Sequence, residues 1–191
     1  MKNPPLYRLF AILIASLIMA GCRKSNSPTD ELPPATHVGL NTMGCYVNGE
    51  LFIPQEPGLA SHGFASARIV SRQPPSLWLS WNDEIGNCGS NQLDIHLDST
   101  VFATGKSFVL GQAAVNPADD SLDAQWASYT RFPCQGQSIQ YLTGSLMNGS
   151  LVISYYDSLQ GIVAGTFEFD AAAPGGDTLH ITQGRFDMHL D

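Results

Sequence analysis

Leu93-Asp94-Ile95-His96-Leu97-Asp98 alternates strictly, apolar on odd numbers and polar on even. Side chains two apart share a face in an extended strand, so the stretch predicts a strand with one buried and one wet face. Ala67-Arg68-Ile69-Val70 and Leu77-Trp78-Leu79-Ser80-Trp81, joined across Pro74-Pro75, read as two more strands. The alternation recurs where Val163, Gly165, Phe167 and Phe169 share one side and Thr166, Glu168 and Asp170 the other. Ser107-Phe108-Val109-Leu110, Trp126-Ala127-Ser128-Tyr129 and Arg131-Phe132 are weaker examples. Turn residues separate the runs: Pro74-Pro75, the cluster from Asn82 to Asn91, and Pro174-Gly175-Gly176. Residues 113–123 read as a loop or a short helical turn, and no amphipathic helix of useful length occurs. About ten short strands at this spacing imply an all-β domain, an antiparallel sandwich or flattened barrel.

Two Asn-Gly pairs set expected registers, because this dipeptide suits the positive φ angles of a two-residue hairpin turn. Asn48-Gly49 joins Met43-Gly44-Cys45-Tyr46-Val47 to Glu50-Leu51-Phe52-Ile53. Asn148-Gly149 would pair Leu146 with Leu151, Gly144 with Ile153 and Leu142 with Tyr155. That register gathers these six on one face and opposes Tyr141 to Tyr156 on the more polar one. At the C-terminal end, Leu179 and Ile181 face inward on odd numbers, but Phe186, Met188 and Leu190 do so on even ones. An extra residue must enter between them, and Gln183-Gly184 is the natural site for a β-bulge.

The N-terminus follows different rules. Lys2 and Arg8 precede an apolar run from Leu9 to Ala20, the length of a signal-peptide core and too short to span a membrane as a helix. Met19-Ala20-Gly21-Cys22 resembles the bacterial lipobox. The resemblance implies cleavage before Cys22 and diacylglyceryl modification of its thiol. Residues 1–21 are then a lipoprotein signal peptide. Residues 22–40 are the lipidated cysteine and a flexible Pro-, Ser- and Thr-rich tether, and 41–191 are a single β-domain. Arg23 rather than aspartate follows the cysteine, which favours the outer membrane over inner-membrane retention.

Loss of Lys2 and Arg8 with the leader takes the formal net charge from −8 to −10. A surface this acidic argues against nucleic acid as a partner. Removing Cys22 leaves Cys45, Cys88 and Cys134. An exported compartment permits disulfides. Cys88 and Cys134 both sit among turn residues and are the expected bridge, while Cys45, inside an apolar strand, is the expected buried thiol.

Gly44-Cys45-Tyr46-Val47-Asn48-Gly49, Gly165-Thr166-Phe167-Glu168-Phe169 and Ile181-Thr182-Gln183-Gly184-Arg185-Phe186-Asp187 resemble a family of Bacteroidota lipoproteins described only as a domain of unknown function. The likeness covers the two ends of the mature domain. It implies an exported β-rich lipoprotein and carries no catalytic residue with it.

Chemistry-bearing patterns are sparse. Asp94, His96 and Asp98 share a strand face, as Asp187, His189 and Asp191 could. Residues two apart lie about 7 Å from each other, so either set is read as a solvated face, and no metal or cofactor is expected. Gly144-Ser145-Leu146 lacks the flanks of a nucleophile elbow, and no His has a visible nucleophile partner, so no catalytic residue and no enzymatic activity are expected. Trp78, Trp81, Trp126, Tyr129, Tyr141 and Tyr156 could stack on a sugar ring. Trp78 and Trp81 differ in parity, so one of them is core. The opposed pair Tyr141 and Tyr156 is the best candidate contact. Asp98-Ser99-Thr100, Asp120-Ser121-Leu122, Asp157-Ser158-Leu159 and Asp177-Thr178-Leu179 resemble the acceptor sites of O-glycans in exported Bacteroidota proteins. The expected partners are the membrane, through the lipid, and an envelope protein or glycan. The expected function is a non-enzymatic binding or accessory module, or alternatively a glycan-binding lipoprotein of a polysaccharide-uptake system.

Overall fold

A computed structural model describes residues 31–54, 65–70, 75–84, 88–99, 101–111 and 125–191. The leader, Cys22 and the expected loop over 113–123 lie outside them. The described residues form eleven strands and no helix. These are β1 (Thr42–Val47), β2 (Glu50–Phe52), β3 (Ala65–Val70), β4 (Ser76–Glu84), β5 (Ser90–Asp98) and β6 (Ser107–Leu110), then β7 (Gln125–Phe132), β8 (Ile139–Leu142), β9 (Gly149–Asp157), β10 (Ile162–Ala172) and β11 (Thr178–His189). All pair antiparallel in one curled sheet, in the order β2-β1-β11-β10-β8-β7-β5-β4-β3, with β9 on β10 and β6 on β9. β10 is the corner. It pairs with β9 from Ile162 to Phe169 and with β8 at Ala172. Opposite that corner, Ala67 and Leu190 form a parallel bridge, and the Asp191 amide donates to the Ala67 carbonyl at 2.8 Å. The result is an open flattened barrel with two walls, β6-β9-β10-β11-β1-β2 and β3-β4-β5-β7-β8.

Strand parity fills the interior. Leu77, Leu79 and Trp81 meet Leu93, Ile95 and Leu97, facing Leu151, Ile153, Val163, Phe167, Phe169, Leu179, Ile181, Phe186 and Met188 across one core. Each such side chain contributes about 1.5–3 kcal/mol by leaving water. Trp81 is the inward tryptophan, stacked on Phe167 at 5.9 Å, with its indole N–H directed at Met188 Sδ, 3.3 Å away.

The hairpin at Asn48-Gly49 forms as the turn chemistry requires, with φ of +50° and +83° and Val47 paired to Glu50. The expected bulge forms too. Gln183 sits at φ +54°, and the ladder steps from Phe167↔Gly184 to Phe169↔Ile181. Gly184 lies under the Phe167 ring, where an added Cβ would come within 2.5 Å of it.

The hairpin at Asn148-Gly149 does not form. Gly144 and Met147 exchange backbone hydrogen bonds in a tight turn, leaving Leu146 90% exposed. β9 pairs with β10 instead, setting Leu151 against Phe167 and Ile153 against Gly165. Gly149 is needed for close approach, since a Cβ would strike Glu168 and Phe169 of β10. The apolar alternation of β9 suits any antiparallel partner, and the larger aromatic partner on β10 wins.

Three further expectations change. Asn82, Asp83, Glu84, Ser90 and Asn91 extend β4 and β5 rather than forming loop. The even face of β5 is not wet throughout, because His96 and Asp98 are 2% and 4% exposed. The tether does not run free to residue 40, because residues 32–40 lie along the outer face of β9-β10-β11 as a strap. The strap explains why Ile162 and Ala164 are buried although their parity turns them outward.

Gly184→Ala is expected to lower stability by about 2–3 kcal/mol through overpacking against Phe167. In a domain of this size that is a fall in Tm of roughly 5–10 °C. Gly175→Ala, in open space, should leave the transition unchanged. Differential scanning calorimetry of both variants checks the contrast.

Candidate functional site

The register of the second wall aligns Arg68, Trp78, His96 and Trp126 in one row across β3, β4, β5 and β7. Their parity turns them away from the core. The Trp78 ring lies 4.4 Å from the His96 ring and meets Trp126 edge-on at 5.4 Å. The Arg68 guanidinium sits over Trp78, 5.8 Å from its centroid. Trp126 is buried, whereas Trp78 is half-buried and Arg68 exposed, so the row opens to solvent at its β3–β4 end. Asp98 supports the row, with Oδ1 3.4 Å from His96 Nε2.

Polar groups flank this row. On one side Asp94 Oδ1 accepts from the Ser80 hydroxyl at 2.6 Å and from the Gln92 amide at 3.0 Å. Burial pushes the Asp94 carboxyl above its ordinary value, and these two hydrogen bonds only partly oppose it. The hydroxyls of Ser76 and Ser128, on the same outward parity, are fully buried with no hydrogen-bond partner among the described residues. An unsatisfied buried hydroxyl costs about 1–3 kcal/mol, and neither of these is reachable from solvent.

The first wall carries the strap. Asp187, buried on β11, holds it: Oδ2 accepts from Thr36 Oγ1 at 2.6 Å and from the Val38 amide at 3.0 Å, and Oδ1 from the Gly39 amide at 2.7 Å. His37 stacks on Tyr155 at 5.3 Å, and Pro33 packs against Gly44. Burial raises the Asp187 carboxyl, but the hydrogen bonds from Thr36, Val38, Gly39 and Leu40 outweigh it and leave the group below the usual carboxylate range. Between the strap and the sheet runs an open cleft of about 480 Å³, lined by Ala35, Ser150, Val152, Thr166, Glu168 and Arg185 among others.

The structure separates the expected aromatic pair. Tyr141 is 1% exposed, faces Tyr129 on β7, and donates its phenol to Asp177 Oδ2 at 2.8 Å. Tyr156 is half-buried against Phe102 and pairs with Val163. Leu142, next to Tyr141, meets β10 at Ala172, nine positions from Val163, or about 30 Å of strand. Without the second Asn-Gly hairpin the two tyrosines share no surface. Cys88 and Cys134 are bonded, with Cα atoms 5.0 Å apart, and Cys45 is a buried free thiol held up at about 12 by desolvation. Asp94, His96 and Asp98 do share one face, but among the described residues no three His, Cys, Asp or Glu side chains converge as a metal cage. The row Arg68–Trp78–His96–Trp126 was not anticipated as a unit. Its signal was the even-numbered parity of Trp78, His96 and Trp126, which becomes a row only once the ladder order is known.

No protein-family model matches the chain, and no curated protein or solved structure matches it either.

Asp94 and Asp187 should respond oppositely to neutralisation. Both oxygens of Asp187 accept from donors, so Asn must set an amide N–H₂ against one of them, and Asp187→Asn should cost about 2–4 kcal/mol. Asp94 receives both its bonds on one oxygen, which Asn can supply, so Asp94→Asn should be neutral or stabilising by up to about 1 kcal/mol. The Asp187 contribution is complete above about pH 4, the unfolded value, and is lost as pH falls through the depressed folded value. The Asp94 penalty is present above its raised folded value and relieved as pH falls through it. Urea titrations of both variants at pH 7 and pH 3 check the signs.

Proposed function

We propose that this chain is a lipid-anchored cell-envelope protein of the outer membrane whose β-domain is a non-enzymatic binding or accessory module. The observation that carries the reading is Met19-Ala20-Gly21-Cys22 at the end of a charged and then apolar leader. Two or three acyl chains on Cys22 anchor durably, at roughly 0.8 kcal/mol per buried methylene. The Cys88–Cys134 bond supports an oxidising compartment. The resemblance of the two ends of the domain to a Bacteroidota lipoprotein family of unknown function supports the same address. The partners in this reading are the membrane, through the lipid, and an envelope protein or glycan. The acidic mature surface turns nucleic acid away.

A second reading, a glycan-binding lipoprotein of a polysaccharide-uptake system, is favoured by the solvent-reaching Trp78 in its aromatic and polar row. Tyr141 and Tyr156 no longer support it.

Cys22→Ser is expected to release the chain from the membrane fraction and to abolish the mass added by acylation. Fractionation with intact-mass measurement checks this, and a variant that stays in the membrane pool contradicts the anchor.

A further inference from the structure

We infer that the β3–β4 end of the outer row, at Trp78, is a subsite for the ring of a neutral oligosaccharide. The inference rests on the glycan-binding reading and deepens it by naming the place and the class of sugar. Three observations converge there. Trp78 is half-buried at the open end of the row, and an indole ring is the shape that the apolar face of a pyranose covers. Arg68 stands 5.8 Å from the ring centroid on an exposed, flexible side chain, able to swing aside and donate to hydroxyls of a stacked sugar. Ser80 and Asp94 lie one outward row along the sheet, about 7 Å away, where groups on a ring over Trp78 come within reach.

Charge chooses the class of sugar. The mature chain carries −10, and at the row the carboxyls of Asp94 and Asp98 outnumber the one Arg68 guanidinium, so the balance of charge favours an uncharged glycan over an acidic one. The cleft on the opposite wall fits this chemistry less well. The aromatic that lines it, Phe167, is a buried core side chain with no face free for a sugar.

The test titrates the purified full chain, in detergent without sugar headgroups, with four hexaoses: β-1,4-glucan, α-1,4-glucan, β-1,3-glucan and β-1,4-xylan. Calorimetry and tryptophan fluorescence are read together. At least one hexaose should bind saturably and shift the fluorescence. Trp78→Ala should weaken that binding at least about tenfold and remove the shift. Arg68→Ala, at an exposed position, should weaken it about three- to tenfold with the fold intact. Tyr155→Ala, on the other wall, should leave it unchanged. Binding that survives both Trp78→Ala and Arg68→Ala overturns the site while keeping the glycan reading. No saturable binding of any of the four up to about 10 mM overturns both. Anchoring is read separately, by fractionation of Cys22→Ser.

Discussion

The bulge at Thr182-Gln183-Gly184 decides which way the last third of β11 faces. Before it, odd-numbered Leu179 and Ile181 enter the core; after it, even-numbered Phe186 and Met188 do. Had the alternation continued unbroken, Arg185 and Asp187 would point inward and Phe186 and Met188 outward. That arrangement would bury two charges without water and lose two core side chains. The extra residue is accommodated by Gln183 at positive φ and by Gly184, whose missing side chain makes room for the Phe167 ring. β1 absorbs the same irregularity between Gly44 and Tyr46, so both neighbours of β11 bend around one point. With the reversal in place, Asp187 emerges on the outer face and can collect the strap.

The strap and the aromatic row answer one problem on two walls. A sheet curled around a single core still has an outer surface, and an apolar one must be covered. On the first wall Ile162 and Ala164 lie beneath residues 32–40, secured by a carboxylate that accepts from the Thr36 hydroxyl and from the backbone amides of Val38, Gly39 and Leu40. On the second, Trp78, His96 and Trp126 pack against one another, with the open end at Trp78. The walls differ in chemistry as a result. One bounds a cleft of mixed lining between strap and sheet, and the other leaves Trp78 half-buried beside hydroxyls and carboxylates.

Much of the fold was legible in the sequence because parity is a local property. The class, the first Asn-Gly turn, most of the strands, the opposite facing of Trp78 and Trp81 and the bulge all follow from runs of a few residues. What failed depended on partners far away in the chain. Asn148-Gly149 carries the same turn signal as Asn48-Gly49, yet its glycine answers the close approach of Glu168 and Phe169 on β10. The tyrosine pair fell with that hairpin. The strap was unreadable because Leu32-Pro33-Pro34-Ala35-Thr36-His37-Val38-Gly39-Leu40 has no strand or helix period, and what fastens it is a side chain about 150 positions downstream. The row at Trp78 needed the order β3-β4-β5-β7, which no local pattern supplies.

The central claim is that the bulge turns Asp187 outward to hold residues 36–39 against the sheet. Amide hydrogen exchange of Val38 and Gly39, followed by NMR at neutral pH, tests it most directly. Both amides should exchange roughly a hundredfold or more slowly than an unstructured peptide. Exchange of both at the unprotected rate, while β10 and β11 remain protected, would contradict it.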